Sequence, residues 1–173
     1  MNRRRALKAS LIIAAPVGLT ACQGELKNFA TWRYAREAVL ELLFKEPKLH
    51  STWSLTQMLQ HAAQSVEFSM QGFPELRPAW FRATLGTTAF TFFNARGAMS
   101  HTLNEAIPGA PALDASQALK LSVQRLLDAM DTFTAFNGTL APHFAYGTLS
   151  REQYERAHLM HLANHWEDLK GKS

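Results

Sequence analysis

Apolar residues recur at intervals of three and four in three stretches of the chain, 26–46, 54–72 and 116–138. That spacing places them on one face of an α-helix, so each stretch predicts a helix. Ser54 and Ser116 are residues that favour the N-cap of a helix, and they mark where the second and third of these helices should begin.

Two further helices follow from other signals. Stretch 78–100 is rich in aromatic residues without a clean period, and Ser150 with Gln153 forms a capping-box pattern that begins a last helix. No run alternates at period two, and 107–111 reads as a loop. The predicted fold is all-α. Short and medium connections favour an antiparallel bundle, with 78–100 as an additional helix between the second and the penultimate main helices.

The first 21 residues have the parts of an export signal. A basic region at 3–8 precedes an apolar run at 11–19, and Leu19-Thr20-Ala21-Cys22 follows. The apolar run is about half of the roughly 20 residues that a membrane-spanning helix needs. Residues 19–22 resemble a bacterial lipobox, in which the chain is cut before the cysteine and the cysteine receives a lipid. The alternative is an ordinary signal peptide with an incidental cysteine.

Cys22 is the only cysteine of the chain, so an internal disulfide is excluded and lipidation is its most economical explanation. The basic region also looks like a twin-arginine signal, although Ala6 stands where that signal prefers an aromatic residue, which leaves the export route open. We therefore expect a periplasmic protein anchored to the membrane through Cys22. Gln23 is not the Asp that often retains lipoproteins at the inner membrane, which favours the outer membrane.

The net charge of +4 does not indicate a nucleic-acid partner. Its four excess charges are those of Arg3, Arg4, Arg5 and Lys8, and no acidic residue precedes Glu25, so the chain after Cys22 is balanced. We divide the chain into a signal peptide at 1–21, a lipidated linker at 22–27 and one helical domain at 28–170. The roughly 150 residues that follow the signal peptide suit a single core.

Three of the seven histidines lie in the last predicted helix, at His158, His161 and His165. With Tyr154 they share one helical face. The i, i+4 pair His161 and His165 can direct two imidazoles at one metal ion, and His61 in the second helix is the leading candidate for a third ligand. No Glu directly follows His161, so the zinc-protease motif is absent. The alternative is that His61 is a hydrogen-bonded helix residue and the other three form a solvated face.

Two motifs resemble the DinB-like superfamily, and more closely a branch of it that is catalogued as a domain of unknown function. The first is 53–61, Trp-Ser-Leu-Thr-Gln-Met-Leu-Gln-His, and the second is the turn Phe144-Ala145-Tyr146-Gly147-Thr148-Leu149-Ser150 followed by Tyr154 and by His161-x-x-x-His165. The resemblance runs from about Asn28 to Leu169.

This resemblance implies a four-helix bundle and a divalent metal ion, often zinc or nickel, held by His61, His161 and His165. His158 then becomes a residue beside the ligands or on the surface, and Tyr154 a candidate for a hydrogen bond near the site. Characterised members of the superfamily include thiol-dependent transferases and isomerases. Their thiols are cytoplasmic, and Trp166-Glu167-Asp168 departs from the Gln and polar residues of many relatives, so neither substrate nor substrate contacts transfer.

Three neutral imidazoles that leave an open coordination position favour a metal-dependent enzyme of transferase or hydrolase type acting on a small molecule. Glu67 and Tyr154 are candidates for an acid or base, although Glu67 is turned away from His61. The alternative function is a non-catalytic lipoprotein that binds a metal or a ligand. An apolar pocket beside an open site would favour the enzyme or a small-molecule binder, and a closed site the structural role. A second copy of the chain is a further candidate partner.

Overall fold

Helices form the regular secondary structure of residues 23–45, 47, 49–50 and 52–170, which are the residues that this computed structural model describes. The prediction of an all-α fold is confirmed for this part of the chain. The helices are α1 (Trp32–Glu41), α2 (Leu55–Gln71), α3 (Ala79–Phe81), a π-helical turn (Arg82–Gly86), α4 (Thr87–Arg96), α5 (Leu119–Ala135) and α6 (Arg151–Lys170). The predicted signal peptide and Cys22 lie outside the described residues.

The core lies where α1, α2, α5 and α6 meet. Helix α2 packs along α5 and also contacts α6, and α1 contacts both α5 and α6. The largest apolar side chains with almost no exposure come from several of these helices: Val39, Met58, Leu59, Leu126, Met130, Phe133, Leu159 and Met160. Burial of one such side chain stabilises the fold by about 1.5–3 kcal/mol, so this core fixes α2 and α6 against each other.

Two predicted helix starts are confirmed by their caps. The Ser54 side chain accepts from the Gln57 backbone N–H, and the Gln57 side chain accepts from the Ser54 N–H. Ser150 and Gln153 form the same reciprocal pair at the start of α6. Each capping box satisfies two backbone donors that a helix N-terminus leaves free, and so fixes where the helix begins.

The first helix is shorter than predicted. It begins at Trp32 and not at residue 26, because the preceding segment is held extended against α4: the N–H of Gly24 donates to Asn94 O at 3.0 Å, and that of Lys27 to Gly97 O at 3.1 Å. The helix also ends earlier than predicted, at Glu41, and residues 42–44 form a turn; Glu46 itself falls outside the described residues. These contacts join residues distant in sequence, which a local periodicity does not register.

The third predicted helix also begins later than expected, at Leu119 and not at Ser116. The Ser116 backbone N–H and hydroxyl donate to the Asp114 carboxylate at 2.8 and 2.6 Å, so this serine forms a local turn and caps no helix. The helix ends at Ala135, short of the predicted Asn137-Gly138, since Phe136 is extended.

The aromatic stretch predicted as an additional helix runs from Ala79 to Arg96 through α3, the π turn and α4. We call it the α3–α4 helix. A π turn shifts the helical register by one residue, which explains why its apolar residues show no clean period. The turn ends at Gly86, where an added Cβ would collide with the carbonyl of Ala145. Among the described residues, no helix is long and apolar enough to cross a membrane.

The two serines give a test of the helix boundaries. We expect Ser54→Ala to lower the free energy of unfolding by about 1 kcal/mol, because it removes a capping interaction. Ser116→Ala, the matched control, should cost less than about 0.5 kcal/mol, as is usual for surface substitutions. Urea denaturation of both variants measures the difference. Equal losses would contradict the expectation that Ser116 contributes less to stability than the Ser54 cap.

Candidate metal centre

Three imidazoles converge between α2 and α6. The Nε2 atom of His161 lies 3.1 Å from Nε2 of His61 and 3.1 Å from Nε2 of His165, and one ring nitrogen of each residue lies within 4.8 Å of the others. Helix α2 supplies His61, and the i, i+4 spacing on α6 supplies the other two. The structure thus brings together the three side chains that the sequence proposed as ligands.

The distances match those of a bound transition metal. Zinc lies about 2.0–2.1 Å from imidazole nitrogens in tetrahedral sites, which places two such nitrogens roughly 3.3 Å apart. The observed separations of 3.1 Å are close to that value. Two of the three nitrogen pairs are thus spaced as in a zinc site, and all three nitrogens lie within 4.8 Å of one another.

Hydrogen bonds alone do not satisfy this arrangement. A neutral imidazole has one N–H donor and one lone pair, so Nε2 of His161 can accept one hydrogen bond in line with its lone pair, yet two other Nε2 atoms lie at hydrogen-bond distance from it. A cation accepts all three lone pairs at once. The donor set therefore fits a metal ion better than it fits a hydrogen-bonded cluster.

Burial keeps the three rings neutral. Desolvation, helped by the neighbouring His101, lowers the pKa of His61 to about 4. Desolvation and then His61 and His101 lower the pKa of His165 to about 2, and burial with four neighbouring histidines lowers the pKa of His161 well below its usual value. Neutral imidazole is the form that binds metal, so these side chains are ready to act as ligands at neutral pH.

The alternative of a solvated histidine face on α6 is wrong for its two most buried members. His165 is 2% exposed and His158 is 4% exposed. Trp53 forms a wall of the site, with ring centroids 5.0 Å from His61 and 6.3 Å from His165. This indole fixes the orientation of one ring from each helix.

A fourth histidine, His101, lies beside the cluster and was not singled out from the sequence. Its ring centroid is 4.9 Å from that of His161 and 5.3 Å from that of His165. Its Nδ1–H donates to Thr102 O at 2.8 Å, which leaves the lone pair on Nε2, and this buried atom has no hydrogen-bond partner among the described residues. His101 is in a loop after α4, where no helical spacing links it to the other histidines.

The other sequence candidates are not among the three grouped ligands, although His158 lines a pocket together with His61 and His161. The Tyr154 hydroxyl donates to Ala141 O at 2.7 Å, so it anchors a loop and makes no bond to the ligand histidines. His158 packs between Tyr154 and Phe133, and its Nε2 is buried without a partner in the described structure. Glu67 accepts two hydrogen bonds from Arg125, an α2–α5 ion pair, and takes no part in the site.

A pocket of about 210 Å³ opens beside the cluster. Its walls include His61, His161 and His101, and its apolar lining consists of Phe81, Met99, Ile107, Phe144, Tyr146 and neighbouring alanines. The turn that resembles the DinB-like motif forms one wall, bent by Gly147 at φ 80°. Within that turn His143 Nδ1 accepts the N–H groups of Ala145 and Tyr146, so its Nε2 carries the proton.

A protein-family comparison covers almost all of the described chain. The family described as "Protein of unknown function (DUF1569)" matches residues 25–172. The chain belongs to this family. No curated protein and no solved structure matches it. The family match agrees with the expected domain of unknown function, and it supplies no reaction or substrate.

The buried histidines predict how stability changes with pH. Burial lowers the pKa of His143 and of His158 to about 3, so between pH 6.5 and 3 the unfolded chain binds protons that the folded chain does not. The metal-free protein should therefore lose stability as the pH falls, by about 2 kcal/mol for each of these two histidines between pH 7.5 and 5.

Urea unfolding of chelator-treated protein at pH 7.5 and 5.0 measures this loss. His158→Gln removes one titrating group, and its loss should be smaller than that of the unchanged protein by about 2 kcal/mol. The prediction is wrong if both proteins lose the same free energy on acidification.

Proposed function

We propose that this protein is a metal-dependent enzyme that acts on a small molecule bound next to the His61, His161 and His165 cluster. The observation that carries the proposal is the combination of three neutral imidazoles, whose nitrogens are spaced for one ion, with an apolar pocket that reaches two of them. A structural metal site is usually closed by four protein ligands, whereas a catalytic site keeps a position for substrate or water. The adjoining pocket therefore favours catalysis or ligand binding over a purely structural role.

The metal is proposed to be a divalent ion, zinc or nickel. When bound, such an ion polarises a carbonyl or lowers the pKa of a bound water, which suits transferase or hydrolase chemistry. The protein supplies the three imidazoles, and Trp53 holds two of them in place.

The pocket residues define what kind of molecule fits. A volume of about 210 Å³ lies below the roughly 300–1,000 Å³ of typical ligand pockets, so the substrate is small. The His143 Nε2–H is a donor and the His101 Nε2 lone pair an acceptor, and both rings line the pocket. Burial lowers the pKa of both histidines, so both are neutral and offer no charge to a substrate. The inner part of the pocket therefore suits a neutral group with an apolar body and one polar atom. Arg77 and Glu105, 3.9 Å apart, provide the charged part of the lining.

The two family motifs support a finer assignment of the fold. We infer that α1, α2, α5 and α6 form the antiparallel four-helix bundle of the DinB-like superfamily, with the α3–α4 helix as an insertion. The positions of the motifs agree with this assignment, since the first supplies His61 on α2 and the second supplies the pocket turn and both histidines of α6.

Metal analysis tests the proposed site. The full chain, purified without a histidine tag, should contain about one divalent ion per molecule, and His61→Ala combined with His161→Ala should abolish it, since one imidazole retains little affinity. His50→Ala, which changes an exposed histidine, and His101→Gln should retain the ion. Mass spectrometry of acid-digested protein gives the metal content, and circular dichroism shows whether each variant is folded. Unchanged metal content in the folded double variant would show that the site is elsewhere.

We also propose that the protein is exported and anchored through a lipid on Cys22, on the support of the lipobox-like sequence and the lone cysteine. In a bacterium that processes lipoproteins, the chain should lose residues 1–21, and its first peptide should carry the mass of a diacylglycerol and an acyl chain on Cys22. Cys22→Ala should remain unlipidated. A first peptide that is cleaved elsewhere, or that carries an unmodified cysteine, would contradict the anchor.

A further inference from the structure

The α3–α4 helix exposes large apolar side chains along one side. Trp80 is 64% exposed, Leu85 58% and Phe92 60%. The buried residues of the same helix, Phe90 and Asn94, lie on its other side, towards the bundle. We define the outer side as the α3–α4 face, with residues Trp80, Thr84, Leu85, Thr88, Thr91 and Phe92.

Two of the three threonines on this face have their hydroxyl donors satisfied within the helix. The hydroxyls of Thr84 and Thr91 donate to the backbone carbonyls of Trp80 and Thr87, each at 2.8 Å. Since these donors are already satisfied within the helix, their methyl groups can enter an apolar environment without leaving a hydroxyl donor unpaired. The α3–α4 face is therefore less polar than its composition indicates.

The α3–α4 helix carries positive charge only. From Ala79 to Arg96 the sequence has Arg82 and Arg96 and no Asp or Glu, whereas Arg77, just before the helix, is paired with Glu105 at the pocket. Exposed aromatic residues beside arginines are typical of surfaces that lie in the headgroup region of a bilayer with anionic lipids.

The chain just after Cys22 is fixed at the end of this same helix. Gly24 donates its N–H to Asn94 O, and its carbonyl accepts a hydrogen bond from Arg156 at 2.7 Å. Arg156 also donates to the Asn94 carbonyl at 3.0 Å. A side chain on Gly24 would collide with the carbonyl of Ala95, so the contact is a close one. Gly24 follows Cys22 by two residues, and a lipid on Cys22 would thus enter the bilayer beside α4.

We propose that the α3–α4 face docks on the membrane surface, so that the protein lies against the bilayer in one orientation and does not hang from a free tether. The proposal rests on the lipid anchor proposed above. A bilayer is a better partner than a second copy of the chain because the anchor holds this face next to lipid at a high effective concentration.

Depth-dependent quenching of tryptophan tests the docking. The full chain is purified from bacterial membranes, its Cys22 peptide is checked by mass spectrometry, and the protein is placed in vesicles of phosphatidylethanolamine and phosphatidylglycerol that carry bromine near the headgroup. We expect this lipid to quench a part of the fluorescence that is lost in Trp80→Phe. Leu85→Ser with Phe92→Ser should reduce the quenching at least twofold, whereas Leu121→Ser, which changes an equally exposed leucine on α5, should leave it unchanged.

The outcomes separate docking from anchoring. Equal quenching of the unchanged protein and Trp80→Phe, with Cys22 lipidated, would overturn the docking and leave the anchor intact. An unmodified Cys22 would overturn the anchor. In that case the same brominated vesicles, added to the protein from outside, would test the docking alone, and the absence of quenching of Trp80 would overturn it. A dimer contact that shields Trp80 would also overturn the proposal. It would appear as a dimer in sedimentation of the protein in detergent, together with no quenching by bromine.

Discussion

The close approach of three imidazole nitrogens is the constraint on which the rest of this structure depends. His61 belongs to α2, and His161 and His165 belong to α6, so the 3.1 Å approach of His61 Nε2 to His161 Nε2 fixes how these two helices meet. Protonation does not relieve the crowding, because burial and mutual repulsion lower the pKa of all three rings. A shared cation is the arrangement that uses each lone pair, and it would link the two helices as a cross-link does. Metal binding and bundle stability are then coupled, since ligands that bind only the folded state stabilise it.

Helix α6 also fixes the position of the first described residues of the chain. One turn and a half before His161, Arg156 projects to the other side and joins three segments, because it bonds to Asn94 on α4 and to the carbonyl of Gly24. Gly24 and Gly97 allow the backbones to approach, and a Cβ at either position would collide with a carbonyl of the opposing segment. The helix that presents two candidate ligands thus also fixes the segment that follows the proposed lipid anchor.

The parts of the fold that sequence predicts well are those set by neighbours in the chain. The i, i+4 histidines, the N-cap at Ser54 and the capping box at Ser150 depend on residues within one helical turn, and the structure shows the spacing and the hydrogen bonds that the pattern implies. His61 is a candidate from the sequence of the second helix, and the family resemblance strengthens it, since nothing local links α2 to α6. His101 had no such signal, because a loop brings it to the cluster. The extended segment before α1 depends on hydrogen bonds to α4, which local sequence does not show. The predicted helix cap at Ser116 is wrong because the Asp114 carboxylate accepts the hydrogen bonds of that serine.

The α3–α4 helix contributes to the pocket on its inner side. Phe81 lines the pocket directly, and Gly86 packs on Ala145, within the turn that supplies Phe144 and Tyr146 to the opposite wall. Because a side chain at position 86 would meet that backbone, the helix and the turn cannot separate without changing the pocket's shape. The π turn places Gly86 at this contact while Leu85, the preceding residue, faces outward. The π turn therefore has two effects. It removes the clean period from the sequence, and it lets one side of the helix close the pocket while the other side presents apolar side chains.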